Sequence, residues 1–114
     1  MNGGSEELNR RLEELKTAFA ISLAGRLDEF ELAGRSLNEG DDLSRQTEKL
    51  NKLFDIAHKL AGSAGTFGFK GLGDLASEIE VLCDDFIAAE RSLNQADLAE
   101  IFEKLVACRK FSES

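Results

Sequence analysis

The sequence contains no proline, tryptophan or tyrosine, only one histidine and two cysteines, and no apolar run close to the roughly 20 residues that a membrane-spanning helix needs. The last absence argues against a membrane-spanning chain. Proline interrupts helices, whereas the abundant leucine, alanine, glutamate and lysine favour them. The 114 residues suffice for one domain with its own hydrophobic core. We therefore expect an all-α fold in a single domain, with few strands.

Positive charge is also scarce. The 14 lysines and arginines are outnumbered by 22 aspartates and glutamates, which gives a net charge of −8. Such a chain repels phosphate backbones and anionic lipid, so we expect neither nucleic acid nor a membrane as a partner. The first residues lack the basic start and apolar stretch of a signal peptide, and Cys83 and Cys108 show no metal or redox spacing. We expect a cytoplasmic protein with reduced thiols.

Apolar residues recur every three or four positions along most of the chain, which is typical of amphipathic helices. Residues 5–37 are predicted to form two helices of about 18 and 14 residues, because Gly25 lowers helix propensity and Arg26 stands where an apolar residue is due. The expected break lies at residues 22–26. Further helices are predicted at residues 43–65 and 72–91 and from Asn94 onward, after connections at residues 38–42 and 68–71.

Short connections between helices of similar length predict an antiparallel four-helix bundle with an additional N-terminal helix. This bundle forms one domain over residues 1–114, of which residues 1–4 are expected to be disordered. Because the pattern contains no sustained heptad repeat, a monomer is expected.

The single histidine, His58, lies on the third predicted helix, at the edge of its apolar stripe. At about 100° per residue it falls roughly 90° from the centre of the stripe, between core and solvent. Gly62 and Gly65 follow on the same rim. Because these two positions carry no side chain, a bulky partner could approach the imidazole closely.

A carboxylate occupies a matching position on the next predicted helix, where Glu80 falls about 110° from the centre of the apolar stripe. If the two rims adjoin, Glu80 can accept a hydrogen bond from Nδ1–H of His58, which leaves a free lone pair on Nε2. The arrangement favours a nucleophile over a metal ligand, because the chain has no second histidine or nearby cysteine to complete a metal site.

Several alternatives compete with this interpretation. A lone histidine on a helix rim is usually an ordinary, partly exposed side chain. However, five glycines lie between residues 62 and 73, and a glycine inside a helix costs about 1 kcal/mol relative to alanine. Residues 65–70 lack the Gly-Lys-Ser/Thr ending of a nucleotide-binding loop, and residues 71–76 fit the dinucleotide fingerprint without a preceding strand. Cys83 and Cys108 fall on or near apolar stripes, which is typical of core cysteines.

Residues 57–69, AHKLAGSAGTFGF, together with Glu80 further on, resemble the signature of histidine phosphotransfer (HPt) domains, the phosphoryl carriers of multistep two-component relays. The resemblance implies that His58 takes the phosphoryl group on Nε2, that Glu80 hydrogen-bonds the imidazole, and that Gly62 opens the helix to a receiver domain. Many family members have a lysine three residues after the histidine, where this chain has Ala61. Lys59 and Lys70 are therefore the remaining candidates for a phosphate contact.

The resemblance further implies a surface that binds the partner, made of Asp55, Lys59, Gly62, Gly65, Phe69 and Lys70. The expected function is to accept a phosphoryl group from a receiver-domain aspartate, or from a hybrid or other histidine kinase, and to pass it to another receiver. The partner receiver would supply Mg²⁺, so no cofactor, metal or kinase activity is expected of this chain. Two alternatives stay open, a non-phosphorylated helical adaptor that binds a receiver or kinase, and the substrate region of a linked kinase.

Overall fold

The computed structural model describes residues 3–112, all of which fold into helices and short connections without a strand. The helices are α1 (Gly3–Arg35), α2 (Leu43–Thr66), α3 (Lys70–Ala89) and α4 (Gln95–Arg109), followed by a 3₁₀ turn at Lys110–Ser112. The predicted all-α bundle is therefore confirmed. No helix within this part of the chain is both long and apolar enough to cross a membrane.

The predicted break in the first helical segment is wrong, because α1 continues through it for 33 residues. Gly25 is helical and exposed, and Arg26 donates from Nε to Ser22 Oγ, one turn earlier, at 2.9 Å. The Arg26 guanidinium also lies 5.2 Å from the centre of the Phe19 ring. Burial of Leu23 on α1 and its neighbours offsets the cost of one glycine, which is about 1 kcal/mol.

The expected additional N-terminal helix is thus the first half of α1. Residues 1–4 were expected to be disordered. Residues 1 and 2 lie outside the described part of the chain, whereas Gly3 and Gly4 belong to α1.

All four helices contribute to one hydrophobic core, with α2 and α3 packed closely against each other. Gly73 on α3 sets this distance, because a Cβ there would lie 3.3 Å from the carbonyl oxygen of Ala61 and 3.4 Å from the backbone nitrogen of Gly65. Both helices contribute buried apolar side chains to the core, namely Leu50, Leu53, Ala57, Leu60 and Ala64 of α2 and Leu72, Ala76, Ile79, Cys83 and Phe86 of α3. The facing rims of α2 and α3 consequently adjoin.

Polar side chains fix where α4 begins. Asn94 and Asp97 form a reciprocal capping box, which confirms the start predicted from the sequence. Arg91 donates to both carboxylate oxygens of Asp97, at 2.7 and 3.2 Å. Buried Gln46 of α2 holds the same connection, donating to the carbonyl of Arg91 and accepting from the backbone N–H of Leu93, both at 2.9 Å.

We predict that Asp97→Asn lowers the free energy of unfolding at neutral pH by about 1 kcal/mol and flattens its decline in acid. The hydrogen bond from Arg91 lowers the pKa of Asp97 below its ordinary value of 3.8. The contribution of ionised Asp97 to the free energy of unfolding is therefore complete above the ordinary pKa. It is lost as the pH falls through the lowered pKa of the folded state. Urea unfolding between pH 7 and pH 2 measures both effects. Asp84→Asn, on the exposed surface of α3, is the control. Superimposable pH profiles for wild type and Asp97→Asn would contradict the prediction.

Candidate functional site

The His58 imidazole lies at the outer edge of the α2–α3 interface, next to the fully buried Ala57. Its side chain is 70% exposed, and Nδ1 lies 2.9 Å from Oε1 of Glu80, whose side chain is 24% exposed. A carboxylate can only accept a hydrogen bond, so this contact places the imidazole proton on Nδ1. The neutral ring then carries its free lone pair on Nε2, the nitrogen that is not engaged by Glu80.

Phe54 bounds the imidazole on the side of the preceding turn. Its ring is nearly parallel to that of His58, with an angle of 2° between the planes and 6.2 Å between the centres. Phe54 was not predicted from the sequence as a neighbour of His58. Its position four residues before His58 was the available signal, because side chains at this spacing are neighbours on a helix.

Four of the five glycines near His58 fall into two classes. A Cβ added at Gly62 or Gly65 would meet no atom within 4 Å, so no neighbour in residues 3–112 requires glycine at either position. By contrast, Gly71 accommodates the ring of Phe111 and Gly73 accommodates the backbone of α2. Packing therefore explains the second class but leaves Gly62 and Gly65 without a structural cause.

A shallow groove surrounds the exposed edge of His58. It is lined by His58, Lys59, Gly62, Ser63, Thr66 and Phe67. Lys59 is the cation among these lining residues, and it also borders a second groove between α1 and α2 that contains Asp55 and Arg26. The site thus has one positive side chain close to the histidine, despite the net negative charge of the chain.

Four of the six residues expected to bind a partner do not line this groove, namely Asp55, which borders the second groove, and Gly65, Phe69 and Lys70. Lys70 is highly exposed at the start of α3, where its Nζ pairs with Asp74 at 3.1 Å. Phe69 is half-buried, and its ring centre lies 5.5 Å from that of Phe19. The structure therefore brings Lys59 and Gly62 together with His58, but it does not bring Phe69 or Lys70 to the groove.

Neither cysteine is available as a nucleophile. Cys83 and Cys108 are fully buried free thiols. Burial is the main cause that raises the pKa of Cys83 to about 12 and that of Cys108 to about 11, so both stay protonated. Within residues 3–112 no three histidine, cysteine or acidic side chains gather closely enough to hold a metal ion.

The model of the Hpt domain family matches residues 5–109, nearly the whole chain. The chain belongs to the Hpt domain family. It is also 39% identical over 59 residues to the chemotaxis protein CheA of Salmonella typhimurium strain LT2. That match covers 52% of this chain but only 9% of CheA, so the chain corresponds to a small part of that relative. No solved structure shows a significant match. The protein is thus a phosphotransfer domain of phosphorelay signalling.

Proposed function

We propose that the protein carries a phosphoryl group on Nε2 of His58, accepting it from the aspartyl phosphate of a receiver domain or from a histidine kinase and passing it to a receiver. The observation that carries this proposal is the 2.9 Å contact between Nδ1 and Glu80, on an imidazole that is 70% exposed. A nucleophile needs a fixed tautomer and open access, and this geometry supplies both.

In the proposed transfer, the Nε2 lone pair attacks phosphorus in line while the bond from phosphorus to the aspartate oxygen breaks. The aspartate leaves as a carboxylate, and the proton on Nδ1 stays in place, so the phosphorylated ring carries a positive charge. Glu80 hydrogen-bonds Nδ1 and stabilises that charge. Transfer to a second receiver is the reverse reaction, with a carboxylate oxygen as nucleophile and His58 as leaving group.

The receiver supplies Mg²⁺ and most of the charge stabilisation, whereas this domain supplies an oriented nucleophile and a docking surface. Gly62 and Gly65 leave the α2 surface clear beside His58. Lys59 is the side chain in the groove that could meet the phosphoryl group, because Ala61 offers no charge. The two free thiols fit the reducing cytoplasm, in which we place this exchange.

We predict that His58→Gln abolishes phosphoryl uptake, because glutamine cannot form the phosphorus–nitrogen bond. The measurement is transfer of isotopically labelled phosphate from a phosphorylated receiver, and separately from a histidine kinase with ATP. The labelled wild type should be acid-labile and base-stable, as phosphohistidine is. If no donor labels the wild type while a receiver still binds it, the domain is an adaptor and the proposal fails.

We predict that Glu80→Ala slows transfer by about ten- to a hundredfold, because a hydrogen bond to a charged group contributes roughly 1.5–3 kcal/mol. Glu80→Gln should lie between this variant and wild type, since an amide oxygen still accepts from Nδ1–H but carries no charge. Single-turnover transfer rates, measured with the same phosphorylated receiver, rank wild type, Glu80→Gln and Glu80→Ala. Equal rates for all three proteins would remove Glu80 from the mechanism.

We predict that Gly62→Ala raises the free energy of unfolding by about 0.5–1 kcal/mol yet slows transfer roughly tenfold. The added methyl group would meet no neighbouring atom of residues 3–112 within 4 Å, but it would stand between His58 and a docked receiver. Gly25→Ala is the matched control, because Gly25 is also helical, exposed and without a neighbour within 4 Å.

The control should stabilise the protein by a similar amount and leave transfer unchanged. Chemical unfolding and single-turnover transfer measure the two properties on the same samples. A Gly62→Ala protein that transfers at the wild-type rate would show that the cleared surface is not used in docking.

A further inference from the structure

The first 13 residues of α1, from 3 to 15, form an arm that extends past the bundle for about 20 Å. Every residue from 4 to 18 is exposed. Contact with the bundle begins near Lys16, whose Nζ would lie 3.6 Å from a Cβ at Gly68, and at Phe19, whose ring packs on Phe67 and Phe69. The arm takes no part in the phosphoryl transfer proposed at His58.

The arm carries an apolar stripe that continues the buried face of α1. The stripe contains Leu8, Leu12 and Leu15, which are 59%, 46% and 50% exposed. Phe19 follows four positions after Leu15 on the same helix face and is only 3% exposed. Three leucines aligned on one helix face differ from a single exposed leucine such as Leu32. An aligned apolar stripe of this kind is typical of a surface that another molecule covers.

Basic residues border the stripe. At about 100° per residue, Arg11 and Lys16 lie roughly 70° to either side of its centre, whereas the acidic residues of the arm lie farther round the helix. If the arms of two copies paired along their stripes, the basic residues beside one stripe would lie next to those beside the other, and they would repel each other. The arm therefore fits an apolar surface with acidic margins.

The same chain presents such a surface between α3 and α4. This α3–α4 groove is lined by Ser77, Glu78, Val81, Leu82, Glu100 and Lys104. Val81 is 58% exposed, and Glu78 and Glu100 supply acidic margins on the two helices. Lys104 lies between them, with its Nζ 3.5 Å from a carboxylate oxygen of Glu78, so the groove keeps an excess of negative charge.

The α3–α4 groove is also well separated from the phosphotransfer site. Leu82 and Glu80 are two positions apart on α3 and therefore lie about 160° apart around the helix. A molecule in the groove would leave His58 accessible on the other side of α3.

We propose that the arm of one copy docks in the α3–α4 groove of a second copy of this chain. The leucines cover Val81 and Leu82, while Arg11 faces an acidic margin of the groove. Each copy offers one arm and one groove, so two copies can satisfy each other reciprocally. This proposal differs from the monomer that the sequence analysis expects.

Sedimentation of the full chain from micromolar to millimolar concentration tests the proposal. Leu12→Lys, which alters the arm, and Val81→Lys, which alters the groove, should each weaken self-association at least tenfold. Leu32→Lys on α1 and Val106→Lys on α4 are matched controls, because both residues are exposed and lie outside the two surfaces. Circular dichroism establishes that each variant is folded.

Mixing the two altered proteins separates this arrangement from any other contact between copies. The Leu12→Lys protein keeps an intact groove and the Val81→Lys protein an intact arm, so an equimolar mixture should form a one-to-one complex. A wild type that stays monomeric throughout would overturn the proposal. So would a mixture that forms no complex, because it would point to pairing of arm with arm. Phosphoryl uptake by His58 is measured separately and does not enter this result.

Discussion

The close packing of α2 against α3 controls the geometry of the site. Gly73 lets the α3 backbone approach the backbone of α2 near Ala61 and Gly65. At that separation the rims of the two helices meet, and the Glu80 carboxylate reaches Nδ1 of His58 at 2.9 Å. One hydrogen bond between helices then selects the tautomer, leaves Nε2 free and places a carboxylate beside the ring, where it would stabilise a positive charge. The buried core beneath the site keeps both helices in place.

This arrangement divides the requirements of folding and of function among different glycines. Gly71 and Gly73 are needed for packing, since an aromatic ring or a helix backbone occupies the space that a side chain would fill. Gly62 and Gly65 face open space and lower helix propensity without any internal compensation. If a receiver domain docks at His58 as proposed, the cleared surface gives a physical reason to tolerate that loss.

Much of the site could be predicted from the sequence, because the positions of His58 and Glu80 follow from helical periodicity. The helix start at Asn94 was equally local, and the structure confirms it. The continuity of α1 could not be predicted in this way. Local propensity favoured a break at Gly25, but burial of the flanking turns against the other helices outweighed it.

The surroundings of the site were harder to predict because they depend on tertiary contacts. Phe69 is drawn towards the core by Phe19, far away in the sequence. The pairing of Lys70 with Asp74 was predictable in principle, because the two residues are four positions apart on one helix. The parallel arrangement of Phe54 and His58 could be inferred only after both side chains were placed.

The account depends on which ring nitrogen of His58 carries the phosphoryl group. Nuclear magnetic resonance of ¹⁵N-histidine-labelled protein, phosphorylated by a receiver, answers this through the coupling between phosphorus and nitrogen. We expect a one-bond coupling to Nε2 and a proton that remains on Nδ1, hydrogen-bonded to Glu80. A coupling to Nδ1 instead would require the contact with Glu80 to break before transfer, and it would contradict the central claim.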